Sequence, residues 1–282
     1  MRGLVQLARP KQWIKNSFVL APLLFSAEFM QPASAARALV AVLLFCGASS
    51  AVYVINDIRD VESDRRHPGK SRSRPLAAGD VSLQAALALL AGLSVATLLG
   101  GLFAPPVLPM LAAYVVLNLA YTFVLKDLPI VDVFGVAIGY VVRVYGGAQA
   151  IAVPVSGWMF ITVLCLALYL TFVKRRQELG MNGSDSRRVL ERYSLRLLDG
   201  CAGVSAAASF VFYVAYVALA NPRLLFTIPV VVFGLWRYWY ATDRSVEGDS
   251  PTDVVLADPW LLATVAVWIG GCAWAMWPGE PY

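Results

Sequence analysis

The sequence predicts an all-α integral membrane protein with nine transmembrane helices. Hydrophobic residues make up 59% of the 282-residue chain and charged residues only 15%, which is too apolar for an ordinary soluble domain. Uncharged windows of about 20 residues, the length at which a helix crosses a bilayer, recur along the chain. The lipid bilayer is therefore the first expected partner, and we expect no nucleic-acid partner.

The predicted spans follow from the uncharged windows and from the residues that interrupt them. The window 81–125 is long enough for two helices, and the prolines within 105–109 divide it because proline interrupts a helix. The first span contains Pro22 and Glu28, and the eighth contains Arg237, so these two are the weakest. The nine spans are residues 16–35, 38–56, two within 81–125, 131–151, 158–173, 200–222, 224–242 and 259–279.

The basic residues predict the orientation of one transmembrane domain that covers residues 1–282. With nine spans, all 23 Lys and Arg residues except Arg37, Arg143 and Arg223 lie on the same side as the N-terminus. The positive-inside rule makes this side cytoplasmic. We therefore expect a multi-pass protein of the plasma (inner) membrane, with the C-terminus outside and two long charged cytoplasmic loops at about 57–80 and 174–199.

An acidic stripe follows the second span. If the helix continues beyond residue 56, then Asn56, Asp60 and Asp64 lie at i, i+4 and i+8, and Asp57 falls beside Asp64 within an arc of about 100°. Mg²⁺ prefers hard oxygen ligands and is usually held by one or two carboxylates together with substrate phosphates. The stripe therefore predicts a Mg²⁺ site on Asn56, Asp60 and Asp64 that carries a diphosphate, with Mn²⁺ as the alternative ion.

The alternative interpretation of the stripe is a solvated helix end whose acids pair with Arg59, Arg65 and Arg66. Three carboxylates crowded on one arc repel one another unless a cation lies among them. We therefore favour the metal site and predict catalytic roles for the three aspartates, which are Asp57, Asp60 and Asp64.

A basic loop follows the stripe. Residues 65–74 supply five Lys and Arg side chains and His67, the only histidine of the chain, a composition suited to phosphate oxygens. We predict that Arg66, His67, Lys70 and Arg74 bind substrate, His67 through a hydrogen bond rather than as a general base. The alternative is a loop that binds anionic lipid head groups and fixes the topology.

A second charged cluster ends the sixth span. On a helix, Lys174, Arg175 and Glu178 fall within about 100° of one another and form a basic face with one carboxylate. We predict that these three residues are catalytic. The alternative is a positive cap that stops membrane transfer, with a Lys174–Glu178 pair at i and i+4.

Three further residues are expected to bind substrate. Arg143 lies within an apolar run, where an ionisable group is costly and by default a functional candidate, and Asp132 is its predicted partner. Tyr121 and Lys126 end the fourth span on the cytoplasmic side. Lys126 either contacts a phosphate or only marks the topology.

These residues resemble the first motif of the UbiA superfamily of intramembrane prenyltransferases. Members have nine transmembrane helices and the pattern NDxxDxxxD, followed by a basic loop that ends in Arg-Pro. The resemblance implies a UbiA-type helical bundle with a cytoplasm-facing polar pocket and a Mg²⁺-dependent transferase. The matching residues here are Asn56, Asp57, Asp60, Asp64, Arg74 and Pro75.

The chain departs from the family at the second motif. Typical members carry a second aspartate-rich motif after the sixth helix, where this chain has one carboxylate, Glu178. Together with residues 9–16 and 169–178, this departure resembles a subgroup that transfers 5-phosphoribose from phosphoribosyl diphosphate to a polyprenyl (decaprenyl) phosphate for cell-wall arabinogalactan. The resemblance implies that cations meet the additional phosphates and that Tyr169 contacts substrate. The candidate cations are Lys15, Lys70, Lys126, Lys174 and Arg175.

Two other functions stay open at this point. One is a prenyltransferase that moves a prenyl group from prenyl diphosphate to an aromatic acceptor. The other is a non-catalytic lipid-binding or transport protein, although transporters place ionisable groups near mid-membrane and only Arg143 and Asp132 are candidates for that position. The prenyl length and the oligomeric state, including a homo-oligomer, are also open.

Overall fold

The computed structural model describes residues 2–66, 69–182, 188–244 and 251–277. Within these ranges the chain forms thirteen α-helices, short 3-10 segments and no strand. The helices are α1 (Arg2–Ala8), α2 (Ala21–Phe25), α3 (Pro32–Arg66), α4 (Lys70–Ser73), α5 (Pro75–Ala78), α6 (Leu83–Leu102), α7 (Leu108–Phe123), α8 (Val131–Ile151), α9 (Gly157–Asn182), α10 (Leu195–Ala220), α11 (Ile228–Arg244), α12 (Pro251–Ala257) and α13 (Pro259–Ala275). The 3-10 segments are Pro10–Leu20, Glu28–Met30, Pro105–Val107, Leu125–Asp127, Arg188–Arg192 and Pro222–Thr227.

Seven helices in the described ranges are long and apolar enough to cross a membrane, and α13 is a shorter apolar helix. All predicted spans from the second to the ninth overlap one of these eight helices. The prolines within 105–109 separate α6 from α7 as predicted, and the fifth span has the predicted bounds, Val131–Ile151. The seven are Pro32–Arg66, Leu83–Leu102, Pro105–Phe123, Val131–Ile151, Gly157–Gly180, Leu195–Ala220 and Pro222–Arg244.

Residues 16–35, the first predicted span, do not form one continuous helix, so the prediction of a single helix there is wrong. The 3-10 segment Pro10–Leu20 leads into the short α2, after which Ala27 adopts a left-handed backbone with φ 60°. A left-handed residue stops a right-handed helix. Within the 3-10 segment, Asn16 is fully buried and hydrogen-bonded to α3 and α8. Tertiary contacts therefore hold this segment in a conformation that its apolar composition does not predict.

The helices α3 and α8 form the centre of the bundle. In their most apolar stretches 61% and 67% of the residues are buried, against 11% in α6. One hydrophobic cluster joins these two helices to α7 and to Val19 of the N-terminal 3-10 segment, around the fully buried Phe45. Polar residues on α3 and α8 therefore lie inside the protein, where each needs a partner.

The N-terminal 3-10 segment approaches α8 at Gly147. A Cβ atom added at this glycine would lie 1.8 Å from the backbone oxygen of Val19. Real atoms cannot approach so closely, so glycine is required for the two backbones to touch. The same segment carries Lys15 and Asn16, and its position therefore depends on this contact.

We predict that Gly147→Ala destabilises the protein by about 2 kcal/mol or more, because the added methyl group must push the N-terminal segment away. A thermal melt of the detergent-solubilised protein measures the effect. The matched control is Gly203→Ala on α10, where no atom lies within 4 Å of the added Cβ. The control should leave the melting temperature unchanged or raise it, since alanine favours a helix over glycine. Equal melting temperatures for the two variants would contradict this packing account.

Candidate active site

The acidic stripe lies on one face of one helix, as predicted. α3 continues without a break to Arg66, so Asn56, Asp57, Asp60 and Asp64 share a face. Asp57 and Asp64 are buried, with 2% and 3% of their surface exposed, whereas the Asp60 side chain is 31% exposed. Two of the carboxylates are therefore enclosed by protein and the third is open to a ligand.

Two arginines from outside α3 neutralise the buried acids. The Nη1 atom of Arg74 lies 2.8 Å from Asp57 Oδ1 and 2.6 Å from Asp64 Oδ2, so one guanidinium bridges both carboxylates. Arg9 donates another hydrogen bond to the same oxygen of Asp57. Each arginine directly precedes a proline that begins a helical segment. These contacts tie the N-terminus and the loop after α3 to the acidic face.

The end of α7 and the 3-10 segment after it supply partners for the remaining two residues of the stripe. Lys126, in the 3-10 segment Leu125–Asp127, places its Nζ atom 3.0 Å from Asp60 Oδ1. The Thr122 hydroxyl donates to the side-chain oxygen of Asn56. The predicted phosphate contact Lys126 therefore does reach the acidic face, from 66 residues further along the chain.

The three arginines near the end of α3, which are Arg59, Arg65 and Arg66, take other positions. Arg65 pairs with the exposed Glu62 at 3.2 Å, on the far side from the stripe. Arg59 lies over the ring of Phe123, 4.7 Å from its centroid, and Arg66 is exposed. Within the described contacts, then, the alternative pairing of the stripe with these three arginines does not form.

Cations occupy the place for which the sequence predicts a metal ion. In the described part of the chain, no group of three His, Cys, Asp or Glu side chains is arranged to hold a metal. Arg74 and Lys126 lie among the carboxylates instead. The amide oxygen of Asn56 and the carboxylates of Asp60 and Asp64 are nevertheless the hard donors that Mg²⁺ binds. Asn56, Asp60 and Asp64 fit a divalent cation if Arg74 and Lys126 release the carboxylates and pair with substrate phosphates instead.

A buried charge network forms around Arg175 of α9, whose side chain is 2% exposed. Its Nε atom is 2.8 Å from Asp132 Oδ2, its Nη1 atom is 2.7 Å from Glu178 Oε2, and its Nη2 atom is 3.0 Å from the Tyr121 hydroxyl. The predicted residues Tyr121, Arg175 and Glu178 therefore meet in one place. Because its three nitrogens are engaged, Arg175 is held in a fixed position.

Asp132 is further fixed by Tyr193. The Tyr193 hydroxyl donates to Asp132 Oδ1 at 2.7 Å and accepts the backbone N–H of Ile130 at 2.6 Å. Burial raises the pKa of Tyr193, so its hydroxyl stays protonated and able to donate.

Lys174 lies 3.7 Å from Glu178, which is the i,i+4 pair of the alternative interpretation. The charged end of α9 thus contains the Lys174–Glu178 pair as well as the buried network around Arg175.

Arg143 does not pair with Asp132, and that prediction is wrong. Its Nε atom donates to Asn16 Oδ1 at 2.7 Å, its Nη1 atom to the Gly139 carbonyl at 2.9 Å, and its Nη2 atom to the Tyr114 hydroxyl at 2.9 Å. The carboxylate of Asp132 is satisfied instead by Arg175. Arg143 therefore joins the N-terminal segment to α7 and α8, and a substrate contact remains a prediction.

Lys15 and Tyr169 occupy different environments. Lys15 lies deep among protein atoms yet keeps partial solvent access. Burial, together with the charges of Arg143 and Arg9, lowers the pKa of Lys15 to about 8. Tyr169 is 1% exposed, stacks on Trp239 and donates its hydroxyl to the backbone of α11. Tyr169 therefore contributes to the packing of α9 on α11, and its substrate contact stays a prediction.

Two predicted residues of the basic loop cannot be placed. His67 and the Lys70 side chain lie outside the part of the chain that the structure describes. Of their neighbours, Arg74 reaches the acidic face and Arg66 is exposed.

Sequence reasoning missed Arg9, Thr122 and Tyr193 as residues of these networks. For Arg9 a signal exists, since it repeats the Arg-Pro pair found at Arg74 and Pro75. Nothing local marks the other two, because their partners are brought to them by the packing of helices far apart in sequence.

Comparison with known proteins gives consistent results. A model of the UbiA prenyltransferase family matches residues 17–254. Decaprenyl-phosphate phosphoribosyltransferases from Mycolicibacterium smegmatis and Corynebacterium glutamicum are 33% and 30% identical over 95% of this chain, which covers 90% and 84% of their lengths. A UbiA homologue from Archaeoglobus fulgidus, solved with GPP and Mg²⁺, is 15% identical and superposes with a TM-score of 0.76 over 97% of this chain and 99% of that chain. This structural similarity shows that the chain and the Archaeoglobus homologue share a fold.

We predict that Asp132→Asn destabilises the protein by about 3 kcal/mol, because removing one partner leaves the Arg175 charge buried without full compensation. Thermal melting in detergent measures the loss. The matched control is Asp127→Asn on the exposed segment before α8, which should melt within about 0.5 kcal/mol of the wild type. If Asp132→Asn melts like the control, the network does not stabilise the fold.

Proposed function

This chain belongs to the UbiA prenyltransferase family, and from that premise we propose that it transfers 5-phosphoribose from phosphoribosyl diphosphate to a polyprenyl (decaprenyl) phosphate and releases diphosphate. The relatives named above for this activity match nearly the whole chain. Diphosphate is a product in this scheme, and the polyprenyl phosphate is the acceptor rather than the donor.

The composition of the two charged helix ends is the observation that carries this proposal. The end of α3 carries an acidic face, whereas the end of α9 carries Lys174 and Arg175 around the single carboxylate Glu178. One acidic face suits one metal-bound diphosphate. The ribose 5-phosphate and the lipid phosphate are two further anions, and basic side chains suit them.

We propose that the cofactor is Mg²⁺, with Mn²⁺ as the alternative ion, held by Asn56, Asp60 and Asp64. When bound, a divalent ion supplies positive charge that stabilises the departing diphosphate. Solved structures of the Archaeoglobus homologue with Mg²⁺ and with Cd²⁺ support the use of a divalent ion.

The basic residues of the site then act on the phosphates. Lys126 and Arg74, which hold carboxylates in the structure, provide charge for the diphosphate as the bond from ribose C1 to its oxygen breaks. The positive charge that develops at C1 makes the transition state oxocarbenium-like. Once these two cations turn to the diphosphate, they stabilise the negative charge that builds on the departing oxygen.

The acceptor needs no strong base. A phosphate monoester has a second pKa of about 6 and is ionised near neutral pH, so one of its oxygens attacks C1 from the face opposite the leaving group. Its counter-charge comes from the basic residues near the site. Catalysis is therefore a matter of positioning and charge stabilisation rather than proton transfer.

We propose that the protein is a multi-pass protein of the plasma (inner) membrane, with this site on the cytoplasmic side. The concentration of Lys and Arg in the segments that follow α3 and α9 supports this orientation. The product would be a lipid-linked phosphoribose, a precursor for cell-wall arabinogalactan.

The transfer itself is tested with purified protein, Mg²⁺ and two mixtures. One contains phosphoribosyl diphosphate labelled in the ribose and polyprenyl phosphate; the other contains labelled prenyl diphosphate and 4-hydroxybenzoate. We expect label in the lipid extract only from the first mixture, and EDTA should abolish it by removing the divalent ion. Asp60→Asn should lower the rate at least a hundredfold, while the exposed control Asp127→Asn should not. Labelled prenylated benzoate from the second mixture would instead establish the ordinary prenyltransferase reaction.

We also predict a pH dependence that originates at Lys15. This amine is charged below pH 8 and neutral above it, so its attraction for a phosphate is present at pH 7 and lost as the pH rises through about 8. Over this range the phosphate esters only gain negative charge, since their second pKa is about 6, so their own titration would not weaken binding to a cation. The affinity for phosphoribosyl diphosphate, measured by calorimetry in detergent, should therefore fall between pH 7 and pH 9.

The variant Lys15→Arg separates this effect from others. Arginine stays charged throughout this range, so the variant should lose the fall in affinity, whereas Lys15→Met should bind weakly at every pH. An identical pH profile for Lys15→Arg and the wild type would place the titrating group elsewhere.

A further inference from the structure

We propose that the surface groove along α1 is the docking site for the phosphate end of the polyprenyl phosphate acceptor. This inference rests on the proposed function, because it assigns a place to the acceptor of that reaction. It is carried by the shape of the groove, by its charges, and by its continuity with the pocket at Asp57.

The groove has a volume of about 620 Å³ and is formed by α1 and the residues that follow it. Arg2, Val5 and Gln6 face it from α1, at positions i, i+3 and i+4. The opposite side of α1 is anchored, because Leu7 is fully buried in a cluster with Val54 of α3. The groove volume is in the range of small-molecule sites, and its wall is fixed to the bundle.

The groove combines basic groups with an exposed apolar surface. Arg2, Arg9 and Lys11 line it, together with the apolar side chains of Val5 and Pro10, and Val5 is 60% exposed. Basic side chains suit a phosphate, whereas exposed apolar side chains suit a hydrocarbon chain. A phosphate esterified to a polyisoprenoid has both properties in one molecule, and a water-soluble phosphate has only the first.

The groove continues into the pocket at the acidic face. A second cavity of about 270 Å³ shares Gln6 and Arg9 with the groove and adds Asp57, Ser73 and Arg74. Arg9 is therefore common to both cavities, with its guanidinium bonded to Asp57. A lipid phosphate seated against Arg9 lies beside the face that is proposed to hold the donor.

The position of Arg9 is determined by the backbone around it. Arg9 has a left-handed conformation with φ 52°, which is unfavourable for a residue with a side chain. The Ser50 hydroxyl of α3 holds the preceding carbonyl of Ala8 and accepts a hydrogen bond from the Trp13 indole. The backbone is thus held in place on both sides of Arg9. This suits a docking site, because the guanidinium is then presented in one direction.

Binding of farnesyl phosphate, a short polyprenyl phosphate, to the full-length protein in detergent tests the proposal. The double variant Arg2→Gln/Lys11→Gln removes two cations of the groove but leaves Arg9 and the acidic face intact. We expect its dissociation constant for farnesyl phosphate to rise about tenfold, the scale of two lost charge contacts. Its affinity for phosphoribosyl diphosphate should change less than twofold.

The matched control is Arg192→Gln/Arg196→Gln, which removes two exposed cations beyond the end of α9 and should leave both affinities unchanged. Farnesol should bind at least tenfold more weakly than farnesyl phosphate, and excess phosphatidylglycerol should not displace the latter. An unchanged affinity in the groove variant, an equal loss in the control, or displacement by phosphatidylglycerol would overturn the assignment.

The binding of farnesyl phosphate is measured without turnover. The proposed transfer reaction and the proposed groove site can therefore be rejected independently of each other. Farnesyl phosphate binding that depends on Arg2 and Lys11, in a protein that transfers no phosphoribose, would reject the proposed function and keep the groove as a polyprenyl phosphate site. Transfer activity combined with unchanged binding in the double variant would reject only the groove.

Discussion

The arrangement of the site depends on the end of α7 and the 3-10 segment that follows it, which together contact both charged helix ends. Thr122 and Lys126 hold Asn56 and Asp60 of α3, and the Tyr121 hydroxyl accepts a hydrogen bond from Arg175 of α9. These contacts link segments more than fifty residues apart. The acidic face and the Arg175 network are therefore positioned by one short piece of chain, and neither is set by its own helix alone.

The second constraint is that the buried charges compensate one another. An isolated charge in a protein interior is costly, and it is tolerated where opposite charges and hydrogen bonds surround it. Arg74 bridges Asp57 and Asp64, and Arg175 lies between Asp132 and Glu178. The acidic face is thus compensated by protein cations, and a divalent ion at the proposed site would require Arg74 and Lys126 to move.

Much of this structure can be predicted from the sequence, because the signals are local. Apolar length predicts the long helices, proline predicts the division between α6 and α7, and helical spacing predicts that Asp60 and Asp64 share a face. The failures concern contacts between distant segments. The region 16–35 is apolar enough for a span, yet packing against α3 and α8 breaks it. Asp132 lies three turns from Arg143 on the same helix, but it pairs instead with Arg175, a buried arginine of α9.

The length of α3 has a consequence for where the proposed reaction would take place. Its 35 residues extend for about 52 Å at 1.5 Å per residue, whereas the hydrocarbon layer is about 30 Å thick. A helix of this length cannot be contained in that layer. Its last turns carry the acidic face from Asn56 to Asp64, and charged groups are costly in hydrocarbon, so these turns belong at the boundary between lipid and water. In the proposed reaction, a sugar phosphate arriving from solution and a lipid head group diffusing within one leaflet can both reach that boundary, and neither has to cross the hydrocarbon to meet the other.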